Sequence, residues 1–205
     1  MKFFLDSASL EEAERWAATG LVAGVTTNPT IIAKTAGGRD PIAVLECLAE
    51  YFDVVSVQVT GPDDDPKRYL DISDAVLVKI PICEWGLRKI ADADPRRLNL
   101  TGITSLGQAL VAATYRPAIA SVFWNRTKED QVDPARVVFA LETALAGDER
   151  SETKILAGSI RSATDVLEAH NAGVEIVTCS PAVLEEVLRS PATSKILGEW
   201  YGSGA

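Results

Sequence analysis

The stretch "AVLVKIP", residues 75–81, is apolar on both faces apart from one lysine, Lys79. A strand of that composition belongs in a sheet covered on both sides, as parallel sheets between helices are. Lysine is almost never fully buried unless something pairs with it or uses it. The same seven residues therefore raise a question of fold and a question of chemistry.

Working outward, comparable runs recur along the chain: "KFFLD" (2–6), "AGVTT" (23–27), "VVSVQVT" (54–60), "LNLTGI" (98–103), "AIASVFW" (118–124), "TKILAGS" (153–159) and "EIVTC" (175–179). Helix-like runs separate them, among them "SLEEAERWAATG", "DPIAVLECLAEYF", "EWGLRKIADAD", "SLGQALVAATY", "DPARVVFALETALAG", "SATDVLEAHNAG" and "SPAVLEEVLRS". Many open on Ser, Asp or Pro and several close on Gly, as helix caps require. The segment "GPDDDPKRYLDIS" has the weakest helical pattern. Eight strands in βα alternation predict an α/β fold, a (β/α)8 TIM barrel, near the lower end of the length range for one. An open doubly wound sheet is the alternative, but its glycine-rich dinucleotide fingerprint is absent after the first strand. No linker or low-complexity segment divides residues 1–205, so a single barrel domain is expected. An extra C-terminal helix at about 191–201, with a flexible end, carries Trp200 and Tyr201 toward the barrel or a neighbouring subunit.

Composition narrows the function. The 205 residues are 47% hydrophobic, enough for one well-buried domain. Lys plus Arg number 20 against 29 Asp plus Glu, a formal charge of −9, and no basic stripe stands out, so no nucleic-acid partner is expected. No apolar run approaches a membrane span. The start, "MKFFLDSASLEEAERW", puts Asp6 and three glutamates where a signal peptide needs an apolar core, which predicts a cytoplasmic protein. Cys47, Cys83 and Cys179 are odd in number and widely spaced, and read as small buried hydrophobes rather than bridges or zinc ligands. The single histidine, His170, sits at a helix ending and gives a metal site or a Ser-His-Asp triad little to work with.

Catalytic groups of such a barrel lie at the carboxyl ends of its strands. Here those ends carry Asp6, then Thr27 and Asn28, Gln58, Lys79, Asn99 with Thr101, Ser121 followed by Asn125 and Arg126, and Ser159 with Arg161. Any one of them could be a strand residue meeting solvent, but their shared placement is harder to dismiss. Lys79 has two readings. Its ammonium reaches water or a carboxylate such as Asp6 at the rim, or burial lowers its pKa and frees an amine to form a Schiff base. In "AGSIRSATD" (157–165), Gly158, Ser159 and Arg161 precede a helix with Ser162 as its N-cap, an arrangement suited to an anion, and Arg126 offers a second guanidinium. Taken singly, each arginine reads equally as half of a surface ion pair. Rim lysine, rim aspartate and anion site together describe a class I aldolase acting on a sugar phosphate.

The blocks "FLDSA", "AGVTTNPTII", "VSVQVT", "VLVKIP", "LNLTGITSLGQAL", "SVFWNR" and "ILAGSIR" resemble, in order, those of the transaldolase family, in particular its short members that include the fructose-6-phosphate aldolases. The resemblance implies a cytoplasmic (β/α)8 barrel of carbohydrate metabolism with no metal or organic cofactor, assembled as a homo-oligomer, commonly a pentamer or decamer. It implies that Lys79 is the Schiff-base lysine and Asp6 the acid/base at the substrate's C4 hydroxyl. Asn28, Asn99 and Ser121 would hold the dihydroxyacetone hydroxyls, and Thr101 would position the proton-shuttling water. Arg126, Ser159 and Arg161 would grip phosphate, while Gly24, Thr26 and Thr27 shape the second rim.

Two positions mix the family's marks. Transaldolases typically carry Glu where this chain has Gln58, and the aldolases carry Tyr where it has Phe123. Gln58 cannot take up a proton, and Phe123 lacks a hydroxyl that would help protonate the enamine. A long-lived enamine waits for an aldehyde, so transfer of a dihydroxyacetone unit between sugar phosphates is the expected activity. Aldol cleavage or synthesis with free dihydroxyacetone is the alternative, and a silent barrel binding a phosphorylated ligand is the non-enzymatic one. A deoxyribose-phosphate-type aldolase would need a second lysine nearby. Lys89 falls in a helix and Lys154 at the wrong end of its strand. Trp124 reads either as core or as a residue reshaping the acceptor pocket.

Overall fold

Apolar strand runs and capped helical runs alternate in the computed structural model, which describes residues 1–91, 93–147 and 151–202. In chain order the elements are β1 (Lys2–Asp6), α1 (Leu10–Ala17), β2 (Val22–Thr26), α2 (Pro29–Thr35), α3 (Pro41–Tyr51), β3 (Val55–Gln58) and α4 (Lys67–Leu70). Then follow β4 (Val76–Pro81), α5 (Glu84–Lys89), a 3-10 turn (Pro95–Arg97), β5 (Leu98–Ile103), α6 (Leu106–Tyr115), β6 (Ile119–Phe123) and α7 (Trp124–Glu129). The chain ends with α8 (Pro134–Ala146), β7 (Lys154–Gly158), α9 (Ala163–Asn171), β8 (Ile176–Cys179), α10 (Pro181–Leu188) and α11 (Pro191–Tyr201). The eight strands pair in sequence order into a closed, all-parallel barrel, with β8 returning to β1.

Helix starts follow the capping chemistry. Ser9, Asp40, Ser105, Ser162, Ser180 and Ser190 each accept a hydrogen bond from a backbone N–H in the first turn of the following helix. Two short helices, α2 and α7, fall where none was expected. Asn28 caps α2 with Pro29 at its first position, whereas α7 begins at Trp124, so the sixth strand stops at Phe123. The segment after β3 holds only the four residues of α4. The helix expected over 84–94 stops at Lys89; its residue 92 and the flexible tail at 203–205 lie outside the described residues.

Strand alternation divides the core in two. Leu5, Val25, Val55, Val57, Val78, Ile80, Leu100, Val122, Ala157 and Val177 pack outward against the helices. The opposite set turns into the barrel. Its amino-terminal half is an apolar plug of Phe4, Leu77, Ile119, Leu156 and Ile176, and Gly24 leaves room there because a Cβ would stand 2.8 Å from the Phe4 ring. One step further along seven of the strands the inward residue is polar, while β7 brings Gly158, which sets up the site. Cys179 is buried, while Cys47 and Cys83 are only half-buried, and all three are free thiols.

Candidate active site

The polar half of the barrel collects side chains from seven strands. Asp6 and Thr26 are register partners on β1 and β2; Gln58, Lys79 and Asn99 lie side by side across β3, β4 and β5. Thr101, Ser121, Phe123 and Thr178 come from β5, β6 and β8 at the same alternation. Lys79 is 5% exposed, and its Nζ donates to the Thr27 carbonyl oxygen at 3.3 Å. Strand β4 is pinned at this point by α5: Cys83 N donates to the Pro81 carbonyl at 2.9 Å, and Gly86 comes so close that a Cβ would strike the same oxygen.

Burial dominates the electrostatics. It pushes the pKa of Lys79 below the ordinary lysine value, and the Asp6 charge only partly opposes this. Asp6 keeps some open surface, yet the protein around its carboxyl pushes its pKa up, against Lys79 and a hydrogen bond from Thr26. Both shifts favour a neutral amine near a carboxyl able to exchange a proton. Thr26 Oγ1 donates to Asp6 Oδ1 at 2.7 Å and lies 2.6 Å from Thr178 Oγ1. On the other side Ser121 Oγ donates to Asn99 Oδ1 at 2.7 Å, and Asn99 Nδ2 donates to Ser56 Oγ at 3.1 Å. Thr101 Oγ1 is buried without a hydrogen-bond partner. A hydroxyl left so is costly unless a water or ligand completes it.

Asn28 stands apart from this network, since its side-chain oxygen accepts from Ile31 N at 2.9 Å in capping α2. Arg126 and Arg161 are exposed and meet on one carboxylate, Glu129, at 2.9 and 2.6 Å. Between them, Ser159 adopts a left-handed backbone with φ of 58°, and its carbonyl accepts from Asn125 Nδ2 at 2.8 Å. The start of α9 is less open to an anion than its sequence suggests. Asp165 Oδ2 accepts from the backbone N–H of Arg161 and from Asn125 Nδ2 at 3.0 and 2.9 Å. Trp124 is core: it is 2% exposed, and its Nε1 donates to Glu168 at 3.2 Å.

Lys89 donates to the Asp64 carbonyl at 2.8 Å and Lys154 pairs with Glu175 at 2.8 Å, so neither sits beside Lys79 as a second amine. Ser56, Thr178 and Glu129 are the site residues that strand-end reasoning passed over, whereas Asn125 was among those it named. Two-residue spacing from Gln58 points to Ser56, and from Ile176 to Thr178; nothing local marks Glu129. Among the described residues no three His, Cys, Asp or Glu side chains converge as a metal site. A cavity of 1020 Å³ opens at the opposite, amino-terminal mouth over Phe4, Leu77 and Ile176. The buried polar side chains gather in the polar ring, not at that cavity.

Solved structures support the architecture. An inosine 5′-monophosphate dehydrogenase from Legionella pneumophila matches with a TM-score of 0.57 at 12% identity, over 89% of this chain and 58% of its own. A mandelate oxidase matches with a TM-score of 0.57 at 14% identity, over 88% and 64%. At such identities the likeness is one of fold alone. Sequence relatives go further. A protein of Parvibaculum lavamentivorans named "Probable transaldolase" is 33% identical over 100% of this chain and 98% of its own length. One of Chelativorans sp. with the same name is 34% identical over the same shares, and one of Nitrosopumilus maritimus is 31% identical over 94% and 90%. The family model described as transaldolase/fructose-6-phosphate aldolase matches residues 57–201, and with these full-length relatives it establishes that the chain belongs to the transaldolase/fructose-6-phosphate aldolase family.

Proposed function

We propose that the protein transfers a dihydroxyacetone unit from a ketose phosphate to an aldehyde acceptor through a Schiff base on Lys79. The observation that carries this reading is the buried Lys79 amine, its pKa lowered by burial, in the same polar ring as Asp6. The neutral amine attacks the ketose carbonyl, and loss of water from the carbinolamine gives an iminium. Asp6 takes the proton of the C4 hydroxyl as the C3–C4 bond breaks, and the electron pair passes into an enamine while the aldehyde leaves. The enamine carbon then attacks the acceptor aldehyde, whose oxygen takes the proton back from Asp6, and water hydrolyses the new iminium.

The other side chains fit around these steps. Thr101 holds the water, which accords with its unpartnered hydroxyl. Asn99 and Ser121, already ordered by their mutual bond, bind hydroxyls of the dihydroxyacetone unit, with the free amide nitrogen of Asn28 as a further donor. Arg126, Arg161 and Ser159 take the phosphate. Phe123 lies over Gly158, with ring carbons 3.6 Å from where a Cβ would stand, and gives the enamine an apolar wall rather than a proton donor. A second reading, aldol cleavage with release of free dihydroxyacetone, is favoured by Gln58, the register partner of Lys79, which is neutral where transaldolases have an acid. Cytoplasmic location and assembly with further copies of this chain complete the proposal. Among the described residues no helix is long and apolar enough to cross a membrane.

Borohydride reduction with fructose 6-phosphate, followed by peptide mass spectrometry, tests the core of it. A stable adduct on Lys79, absent from Lys79→Ala together with turnover, is the expected result. Turnover surviving in Lys79→Ala would sink the mechanism. Assaying product with and without an aldehyde acceptor then separates transfer from cleavage.

A further inference from the structure

Arg126, in the first turn of α7, and Arg161, just beyond β7, each give a donor to one carboxylate. Glu129 Oε2 accepts from Arg126 Nη1 at 2.9 Å, and Oε1 accepts from Arg161 Nη2 at 2.6 Å. The first contact is a local one along α7, but the second spans 32 residues and joins the end of α7 to the loop after β7. Two guanidiniums converging on the two oxygens of one acid reproduce what they would do with two oxygens of a phosphate. The Glu129 carboxylate is ionised at neutral pH, because its hydrogen bonds from Arg161 and then Arg126 hold its pKa below the ordinary value.

We infer that Glu129 is a built-in counter-anion of the anion site, one that occupies the guanidinium pair when the site is empty and that a substrate's phosphate must displace. The inference rests on reading Arg126 and Arg161 as the phosphate grip. With Glu129 in place the three side chains sum to a single positive charge rather than two, so a phosphate dianion is attracted less. A neutral acceptor meets no such loss. Glu129 thereby sets the preference between phosphorylated and unphosphorylated acceptors, since specificity is a difference between two affinities. All three side chains are about half exposed, so displacement costs little and Glu129 tunes binding rather than blocking it. A strut holding the arginines in place would act with the opposite sign, because its loss would weaken phosphate binding.

Titration calorimetry of the full chain with inorganic phosphate separates these outcomes. Glu129→Gln removes the charge and keeps an acceptor of the same shape, and Glu129→Ala removes both. The Kd for phosphate is expected to fall about five-fold in each variant. The ratio of kcat/KM for glyceraldehyde 3-phosphate to that for glyceraldehyde should rise by a similar factor. Unchanged or weaker phosphate binding in either variant overturns the role given to Glu129. An Arg126→Ala/Arg161→Ala double variant that binds phosphate as the parent does would instead overturn the anion site beneath it.

Discussion

At the scale of single residues, the direction of one hydrogen bond has a consequence for Asp6. Thr26 Oγ1 has one proton and gives it to Asp6 Oδ1, so the short contact between Thr26 and Thr178 must be donated by Thr178. Thr178 thus polarises Thr26, and the two hydroxyls act in series to stabilise the Asp6 carboxylate against a burial that disfavours it. Lys79 also faces this carboxyl and favours its charged form. Cys179 lies on the helix-facing side of β8, and burial, followed by the Asp6 and Asp165 charges, pushes its thiol up to about 12, so it stays neutral. Thr178→Val keeps the shape and removes the donor. The Asp6 pKa should then rise further, and the acid limb of the kcat/KM profile should move to higher pH. At a pH on that limb the loss should be about five-fold, the worth of one ordinary hydrogen bond, and Thr178→Ser should restore it. A profile that stays in place while overall activity falls would mean that Thr178 only packs.

At the scale of elements, the strands were legible because each is apolar on the helix-facing side and all eight alternate with helical runs. What escaped was short or depended on tertiary contact. Strand 6 runs apolar through Trp124, and only the helix beginning there shows that the ring turns back into the core. The candidate site was readable where a polar residue interrupts an apolar strand, as Lys79 and Asn99 do. The meeting of Glu129 with Arg161 depends on how α7 and the loop after β7 lie, which no local pattern encodes. Gly86 is of the same kind: in sequence it is a weak residue within a helix, and in the fold it is the contact that seats α5 on β4. A Cβ at position 86 would stand 2.1 Å from the Pro81 carbonyl oxygen, a backbone atom that cannot rotate away. Gly86→Ala should therefore destabilise the protein by about 3 kcal/mol, read as a lower denaturant midpoint. It should also slow adduct formation at Lys79, two residues before Pro81. An unchanged midpoint would show that α5 slides along the strand at no cost.

At the scale of the molecule, the barrel closes its own core and leaves α11 outside it. None of the residues of α11 is buried, and Ile196, Trp200 and Tyr201 are 40%, 70% and 72% exposed. An eleven-residue helix is marginal in water by itself, so its order calls for a partner surface. A matching apolar face lies on α6 and α8, where Leu106, Leu110 and Phe139 are exposed around one groove. A second copy of this chain supplies both surfaces at once, and the proposed homo-oligomer would use α11 of one subunit against its neighbour. A chain ending at Arg189 keeps every strand and helix through α10. It should retain the barrel's circular dichroism while light scattering on a sizing column shows a smaller assembly than the full chain. A full chain that runs as a monomer, or a shortened chain of undiminished assembly size, would rule out α11 as the joining element and leave it a free surface helix.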